Sequence, residues 1–260
     1  MLKWLWAAFA DLREGIAFRR AWMALAGEDI TDQHRRTALG PIWLLINYLA
    51  FVGTFIAIFG YARGAGFSAY VALGFFVWMY LSEVINQSIS LFVREENFIK
   101  GTRLPLSVYV FRLTMQSLIR AGYALIGLLG LLFILGTPIT VAWLWSFIGI
   151  LLIIAITPAA ITVLAVAGAF FPDLQFVVGN VIRLGLFLTP IFWYPAEGAI
   201  RGHFYFWNPF TYFLEIVRVP ITDGVLPLHA FLVCGFIGAV SWLLALWSLG
   251  RFRRQIIFVL

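Results

Sequence analysis

Charge is what this sequence has least of. Only 12% of its 260 residues are Asp, Glu, Lys or Arg, whereas 63% are hydrophobic. A soluble domain carries about 25% charged and about 45–50% apolar residues, so water is excluded as the main solvent of this surface. Lysine is scarcer still. Lys3 and Lys100 are the only two, and neither follows a loop of the form GxxxxGK[ST]. The chain therefore has no recognisable P-loop to cradle ATP phosphates, and any work that needs ATP must draw on hydrolysis in another subunit. The single cysteine, Cys234, lies in an apolar run and excludes an internal disulfide. The three histidines (His34, His203, His229) are scattered, and the adjacent acids Glu95 and Glu96 have no histidine near them in the chain. That leaves no proton relay and no cluster for the acid–base or metal-assisted chemistry of an intramembrane enzyme. The N-terminus does not read as a signal peptide, because Asp11, Arg13 and Glu14 interrupt its short apolar stretch.

Long apolar runs are abundant. A spanning helix needs about 20 mostly apolar residues, and glycine and proline are tolerated there more than in soluble helices. Six spans are expected, at residues 42–61, 69–92, 113–135, 144–170, 176–194 and 228–249. Residues 2–36 read instead as amphipathic. Leu5, Phe9, Leu12 and Ile16 repeat at helical spacing, beside Trp4, Trp6 and the basic Arg13, Arg19 and Arg20. This predicts a helix in the headgroup region, then a short helix over 22–30 and a cationic stop at His34, Arg35 and Arg36. Gly136, Thr137 and Pro138 predict a tight turn.

Basic residues set the orientation. With the N-terminus inside, Lys3, Arg13, Arg19, Arg20, Arg35, Arg36, Arg94, Lys100, Arg103, Arg112, Arg120, Arg183, Arg251, Arg253 and Arg254 are all cytoplasmic. Only Arg63, Arg201 and Arg218 then fall outside. Both termini are expected in the cytoplasm.

Four features are candidates for function. The first is the loop over 93–112. A short helix over 94–100, ending at Gly101 as a C-cap, would present Glu95, Glu96 and Phe98 to a cytoplasmic partner; an ordinary solvated loop fits the composition as well. The second is a crowd of aromatics within 187–213, among them Phe192, Trp193, Tyr194, Tyr205, Trp207 and Tyr212. An interfacial belt accounts for rings of this kind, and so does a stacking surface for the apolar faces of sugars. Prolines at 190, 195, 209 and 220 would break this stretch into re-entrant pieces, tolerated at membrane depth only beside protein or a watery cavity. The third is charge inside the spans: Glu83 and Arg120 could pair between the second and third, and Arg183 lies in the fifth. The fourth is small-residue spacing, at Gly122, Gly127, Gly130, Ala155, Ala159, Ala165 and Gly168, which permits close helix approach.

Five segments together resemble a known family: HRRTALGPIW (34–43), ENFIKGTRLPLSVYVFR (96–112), FFPDLQ (170–175), LTPIFW (188–193) and WNPFTYFLEIVRVPI (207–221). In this order, spaced along six spans, they are similar to the type-2 ABC exporter permeases of the polysaccharide and polyol-phosphate branch, which includes O-antigen and capsule exporters. The resemblance covers essentially the whole chain. It implies an all-α integral membrane protein forming one permease domain over 1–260. An N-terminal amphipathic interface helix, with Arg35 and Arg36 at the cytoplasmic interface, would precede six transmembrane helices.

It further implies a cytoplasmic coupling helix seated in an ATPase cleft, carried by Arg94, Glu95, Glu96, Asn97, Phe98, Ile99, Lys100, Leu104 and Pro105. External re-entrant gate helices within 195–226 would place Phe192, Trp193, Tyr194, Tyr205, Trp207 and Tyr212 on the substrate path. The expected assembly is a homodimer with two copies of a separate ATP-binding subunit, which would hold ATP and Mg, in a bacterial plasma membrane. The expected cargo is a lipid-linked polysaccharide. Teichoic acid, a lipid or a drug would suit the same layout, whereas a passive channel or a lipid-linked sugar transferase suits it less.

Overall fold

The computed structural model describes residues 3–60, 64–102, 104–194 and 200–260. Arg63, Arg103 and Pro195, used in the charge map and the gate segment above, lie outside these residues. Among the described residues every regular element is helical. Five helices among the described residues are long and apolar enough to cross a membrane. They are α3 (Ile42–Phe55), continued by a π-helical turn (Ile56–Gly60), and α4 (Gly64–Ile89), α7 (Leu106–Ile134), α8 (Trp143–Phe170) and α12 (Leu228–Val259), numbered in chain order with the shorter helices below.

The expected span over 176–194 takes a different form. Helix α9 (Leu174–Leu188) has 15 residues, about 22 Å at 1.5 Å per residue. It stops because Thr189 precedes Pro190. The proline ring disfavours helical backbone at the residue before it, and Thr189 is extended, with ψ 139°. Residues 189–194 continue without a helix.

Other boundaries shift for equally local reasons. Helix α7 starts at Leu106, seven residues before the expected 113, with extended Pro105 at its N-cap. It carries Arg112 and Arg120 within it. Helix α12 runs on through Arg251, Arg253 and Arg254 to Val259, because arginine is a good helix former and does not end a helix as it ends a hydrophobic run. Gly136 takes a left-handed φ of 68° in the expected turn.

Helix α4 is the hub. It packs against α7, α8, α9 and α11 (Pro209–Thr222), and Leu73 and Phe75 on it are fully buried. Helix α8 fits tightly because of its small residues. A Cβ at Gly149 would lie 2.6 Å from the carbonyl oxygen of Ile216, and one at Gly168 would overlap the carbonyl of Ile89 at the end of α4. By contrast, Gly122 and Gly130 face open space, so the expected small-residue packing holds for only part of that set. Pro158 sits inside α8, and nearby the Trp242 indole N–H of α12 donates to the carbonyl of Ala155 at 3.0 Å.

The N-terminal segment forms two helices, α1 (Lys3–Ala17) and α2 (Arg19–His34), the second much longer than the expected 22–30. The Leu5–Phe9–Leu12–Ile16 stripe is not the face by which α1 docks, since Phe9 and Ile16 are more than half exposed. Docking uses the small face: Ala8 and Asp11 are fully buried, and a Cβ at Gly15 would overlap the hydroxyl of Ser107. Small side chains let the α1 backbone approach α7 and α12; of the stripe, Phe9 and Ile16 stay exposed while Leu5 is half-buried and Leu12 packs against the core. Asp11 accepts from the backbone N–H of Ser107 at 2.9 Å and of Leu106 at 3.3 Å, and pairs with Arg253 at 3.1 Å. The start of α7 has orphan N–H donors, and this buried carboxylate satisfies two of them. The N-terminal helix, the start of α7 and the end of α12 thus meet at one end of the bundle.

Candidate functional site

That basic end carries the segment singled out as a coupling helix. Two short helices occupy it, α5 (Leu91–Arg94) and α6 (Glu96–Gly101), with a break at Glu95. Gly101 is the last residue of α6 and does not adopt the left-handed cap conformation; the chain leaves through extended Thr102. The break turns Glu95 inward, where its carboxylate meets Arg112 Nη1 at 3.2 Å. Glu95 is therefore not presented outward as expected. Outward-facing groups are Asn97, Phe98 (60% exposed) and the Glu96–Lys100 pair at 2.7 Å. Arg94 is exposed and donates to Gln87 at 2.6 Å. Ile99 is buried, Pro105 is buried and Leu104 is half-buried against the core. A six-residue helix thus shows one polar-aromatic face and anchors through Ile99. Arg35 and Arg36 are exposed, Arg35 lying 3.8 Å from Asp32 on the surface.

Arg112 links this segment to the N-terminal helices. It donates from Nε and Nη2 to the two carboxylate oxygens of Asp29 on α2, each at 2.6 Å, and Gln116 also donates to Asp29. One turn pair further along α7, Arg120 pairs with Glu83 on α4, as its place in the sequence suggested, and donates to Gln33 of α2 at 2.9 Å. Carboxylates from α2, α4 and the α5–α6 break therefore converge on two arginines of one helix.

The opposite end carries the aromatics, and they divide into separate groups. Helix α10 (Ile200–Trp207) and α11 are joined by Asn208, which caps α11 by accepting from Phe210 N–H at 2.9 Å and ties back to Thr189 at 2.8 Å. Pro209 sits in the first turn of α11 and Pro220 near its last, so neither breaks the helix. Phe192 turns into the bundle, with its ring 5.6 Å from Phe55 and 6.1 Å from Phe187. Trp193 donates from its indole to the carbonyl of Phe187 at 3.1 Å. Tyr212 donates to the carbonyl of Phe206 at 2.8 Å and lies 5.5 Å from the His229 ring. Trp207 is 85% exposed. Tyr194 packs 4.4 Å from Tyr70, and Tyr205 donates to Glu215.

At the centre of this end sits Arg218, which the sequence reading placed outside and gave no role. It is 3% exposed, donates from Nη1 to the carbonyl of Pro190 at 2.7 Å, and stacks 3.7 Å over the Tyr70 ring. The single Tyr70 hydroxyl proton is shared between the carbonyls of Pro190 and Trp193, each 3.0 Å from its oxygen. The non-helical stretch after α9 is thus held by one arginine and one tyrosine. Burial pushes the Glu215 carboxyl above the usual carboxylate range, against the pull of Arg218 and then His229. Burial also lowers the pKa of Arg218, against nearby Tyr70 and Glu215. The legible signal for this pair was Glu215 and Arg218 standing three apart in an otherwise apolar run. Nothing local marked Asp11 or Asp29, whose partners lie more than 80 residues away.

No family model matches the chain. Two proteins of Klebsiella pneumoniae, both named O-antigen export system permease protein RfbA, are similar to it. One is 23% identical over 215 residues, covering 78% of this chain and 81% of that protein. The other is 23% identical over 176 residues, covering 65% and 67%. With five apolar helices of membrane length, the chain is a multi-pass helical membrane protein, similar over most of its length to permeases of O-antigen export systems.

Proposed function

We propose that this chain is the membrane-spanning permease subunit of an ATP-driven ABC exporter of the type-2 class, and that its cargo is a lipid-linked polysaccharide. The likeness to O-antigen export permeases over most of both chains carries this reading. In it the short α9 and residues 189–194 complete a sixth crossing, both termini are cytoplasmic, and the protein lies in a bacterial plasma membrane. Two copies form a homodimer with two separate ATP-binding subunits, which hold ATP and Mg.

The geometry supports a route for coupling. Asn97, Phe98, Glu96 and Lys100 offer an exposed face to an ATPase cleft, while Ile99 and the Glu95–Arg112–Asp29 contacts bind that face to α7 and α2. Closure of the ATPases on ATP would move α6, and α7 would carry the motion into the bundle. Six helices form a compact bundle with little room for a wide polar path, so the polymer would pass along the seam between two copies. Helices α10 and α11, with their aromatics, would gate its outer end.

The experiment is deletion of the gene followed by location of the cell's surface glycan. Lipid-linked polymer trapped in the cytoplasm beneath a bare surface is the expected result. A normal surface glycan in a strain with no redundant exporter would overturn the polysaccharide reading and turn attention to teichoic acid, lipid or drug cargo.

A further inference from the structure

The gate end holds a cavity of about 350 Å³, lined among others by Tyr70, Tyr194, Tyr205, Arg218, Thr222 and Asp223. Its floor is unusual. Arg218 is buried, and among the described residues no carboxylate lies within 4.0 Å of it, although buried charges ordinarily require a close counter-charge. A guanidinium has five N–H donors. One goes to Pro190 and the flat of the group rests on Tyr70. The acids in the neighbourhood do other work or stand at the rim: Glu215 is engaged by Tyr205, and Asp223 is exposed at the cavity's edge.

These groups select an occupant by chemistry. The Asp223 carboxylate at the rim disfavours an anion such as a phosphate or a uronate. The arginine at the floor disfavours a cation. A neutral polyol meets both, since its hydroxyls accept from Arg218 and donate to Asp223. Its apolar C–H face can lie against Tyr194, a residue 47% exposed at the cavity's side. The cavity falls in the size range of small-ligand sites, about 300–1,000 Å³.

We propose that this cavity is a subsite for one neutral sugar residue, held by Arg218 at its floor, Asp223 at its rim and the Tyr194 ring at its side. The proposal rests on the glycan-export reading and adds to it the position and charge class of one sugar contact.

The test is saturation-transfer NMR on the full-length permease in detergent, with neutral methyl glycosides of glucose, galactose, mannose, rhamnose and N-acetylglucosamine as probes. Inorganic phosphate, as a competitor, and glucuronate serve as the anionic probes. At least one neutral glycoside should show transfer, unaffected by phosphate. Its apparent Kd should rise roughly tenfold in Asp223→Asn, in Tyr194→Ala and in Arg218→Gln, the equivalent of about one charge-assisted hydrogen bond or ring contact. Asp223 and Tyr194 are exposed, so their variants keep the test decisive if Arg218→Gln fails to fold. Transfer to no neutral glycoside, transfer to glucuronate alone, displacement by phosphate, or a Kd unchanged in Asp223→Asn and Tyr194→Ala would each overturn the subsite. A bare surface on gene deletion combined with no glycoside transfer would leave export standing and remove only this site.

Discussion

Arg112 on α7 grips Asp29 on α2 through two parallel N–H···O bonds of 2.6 Å each, from Nε and Nη2. This fork matches the planar guanidinium to the two carboxylate oxygens, a geometry that a lysine ammonium cannot reproduce. Arg112→Lys should therefore destabilise the protein by about 1–3 kcal/mol, and a double-mutant cycle with Asp29→Asn should return a coupling of the same order. Unfolding followed in detergent reads both quantities. Simple additivity of the two variants would mean that α2 and α7 are not tied here.

Phe98 and Ile99 are neighbours with opposite fates, one 60% exposed and the other 6%. Phe98→Asp should leave the thermal unfolding temperature within a few degrees of the parent, as surface changes usually do within about 0.5 kcal/mol. It should abolish co-purification of the ATP-binding subunit. Ile99→Asp should lower the unfolding temperature sharply, because a charge would be buried without a partner. If Phe98→Asp retained the ATPase at parental stoichiometry, the outward face of α6 would not be the contact.

Glu83 and Arg120 pair across α4 and α7, with 29% and 13% of their side chains exposed. Removing either partner strands the other, at a cost of about 2–4 kcal/mol for a pair this buried. Glu83→Leu combined with Arg120→Met should be less damaging than Glu83→Leu alone, since no unpaired charge remains. Melting temperatures of the three variants decide it. A double variant worse than both singles would assign the pair a role beyond mutual neutralisation.

Gly168 and Gly130 both lie in long helices, yet only Gly168 meets a backbone carbonyl, that of Ile89. Gly168→Ala must push α8 away from the end of α4, and should cost about 1–3 kcal/mol as overpacking. Gly130 has nothing within 4 Å of an added Cβ, so Gly130→Ala should stabilise by about 0.5–1 kcal/mol through helix propensity. Size-exclusion monodispersity after graded heating compares them directly.

The long helices were readable because each depends on its own residues. Apolar runs at 42–61, 69–92, 144–170 and 228–249 correspond to α3 with its π turn, α4, α8 and α12, and the Glu83–Arg120 pair followed from two charges in adjacent runs. Boundaries were less readable where charge and helix part company. Arg112 lies in α7 and Arg251 in α12, so reading the hydrophobic run undercounted both helices. The aromatic stretch was visible as composition, but its division among Phe192 inside, Trp207 outside and Tyr194 and Tyr205 around Arg218 was not.

By itself, then, the sequence determined that this chain belongs in a bilayer as a bundle of apolar helices with its basic residues concentrated toward one end. Those properties sum over single residues and short windows, and the hydrophobic effect acts on them wherever the rest of the chain lies. Only the tertiary structure decided which face of α1 docks, that Glu95 turns inward to Arg112, that Asp11 caps a helix 95 residues away, and that Arg218 floors a cavity. Each of these depends on directed contacts between groups far apart in the chain. Their energies appear only when packing fixes distance and angle together, and a local pattern of residues does not encode that.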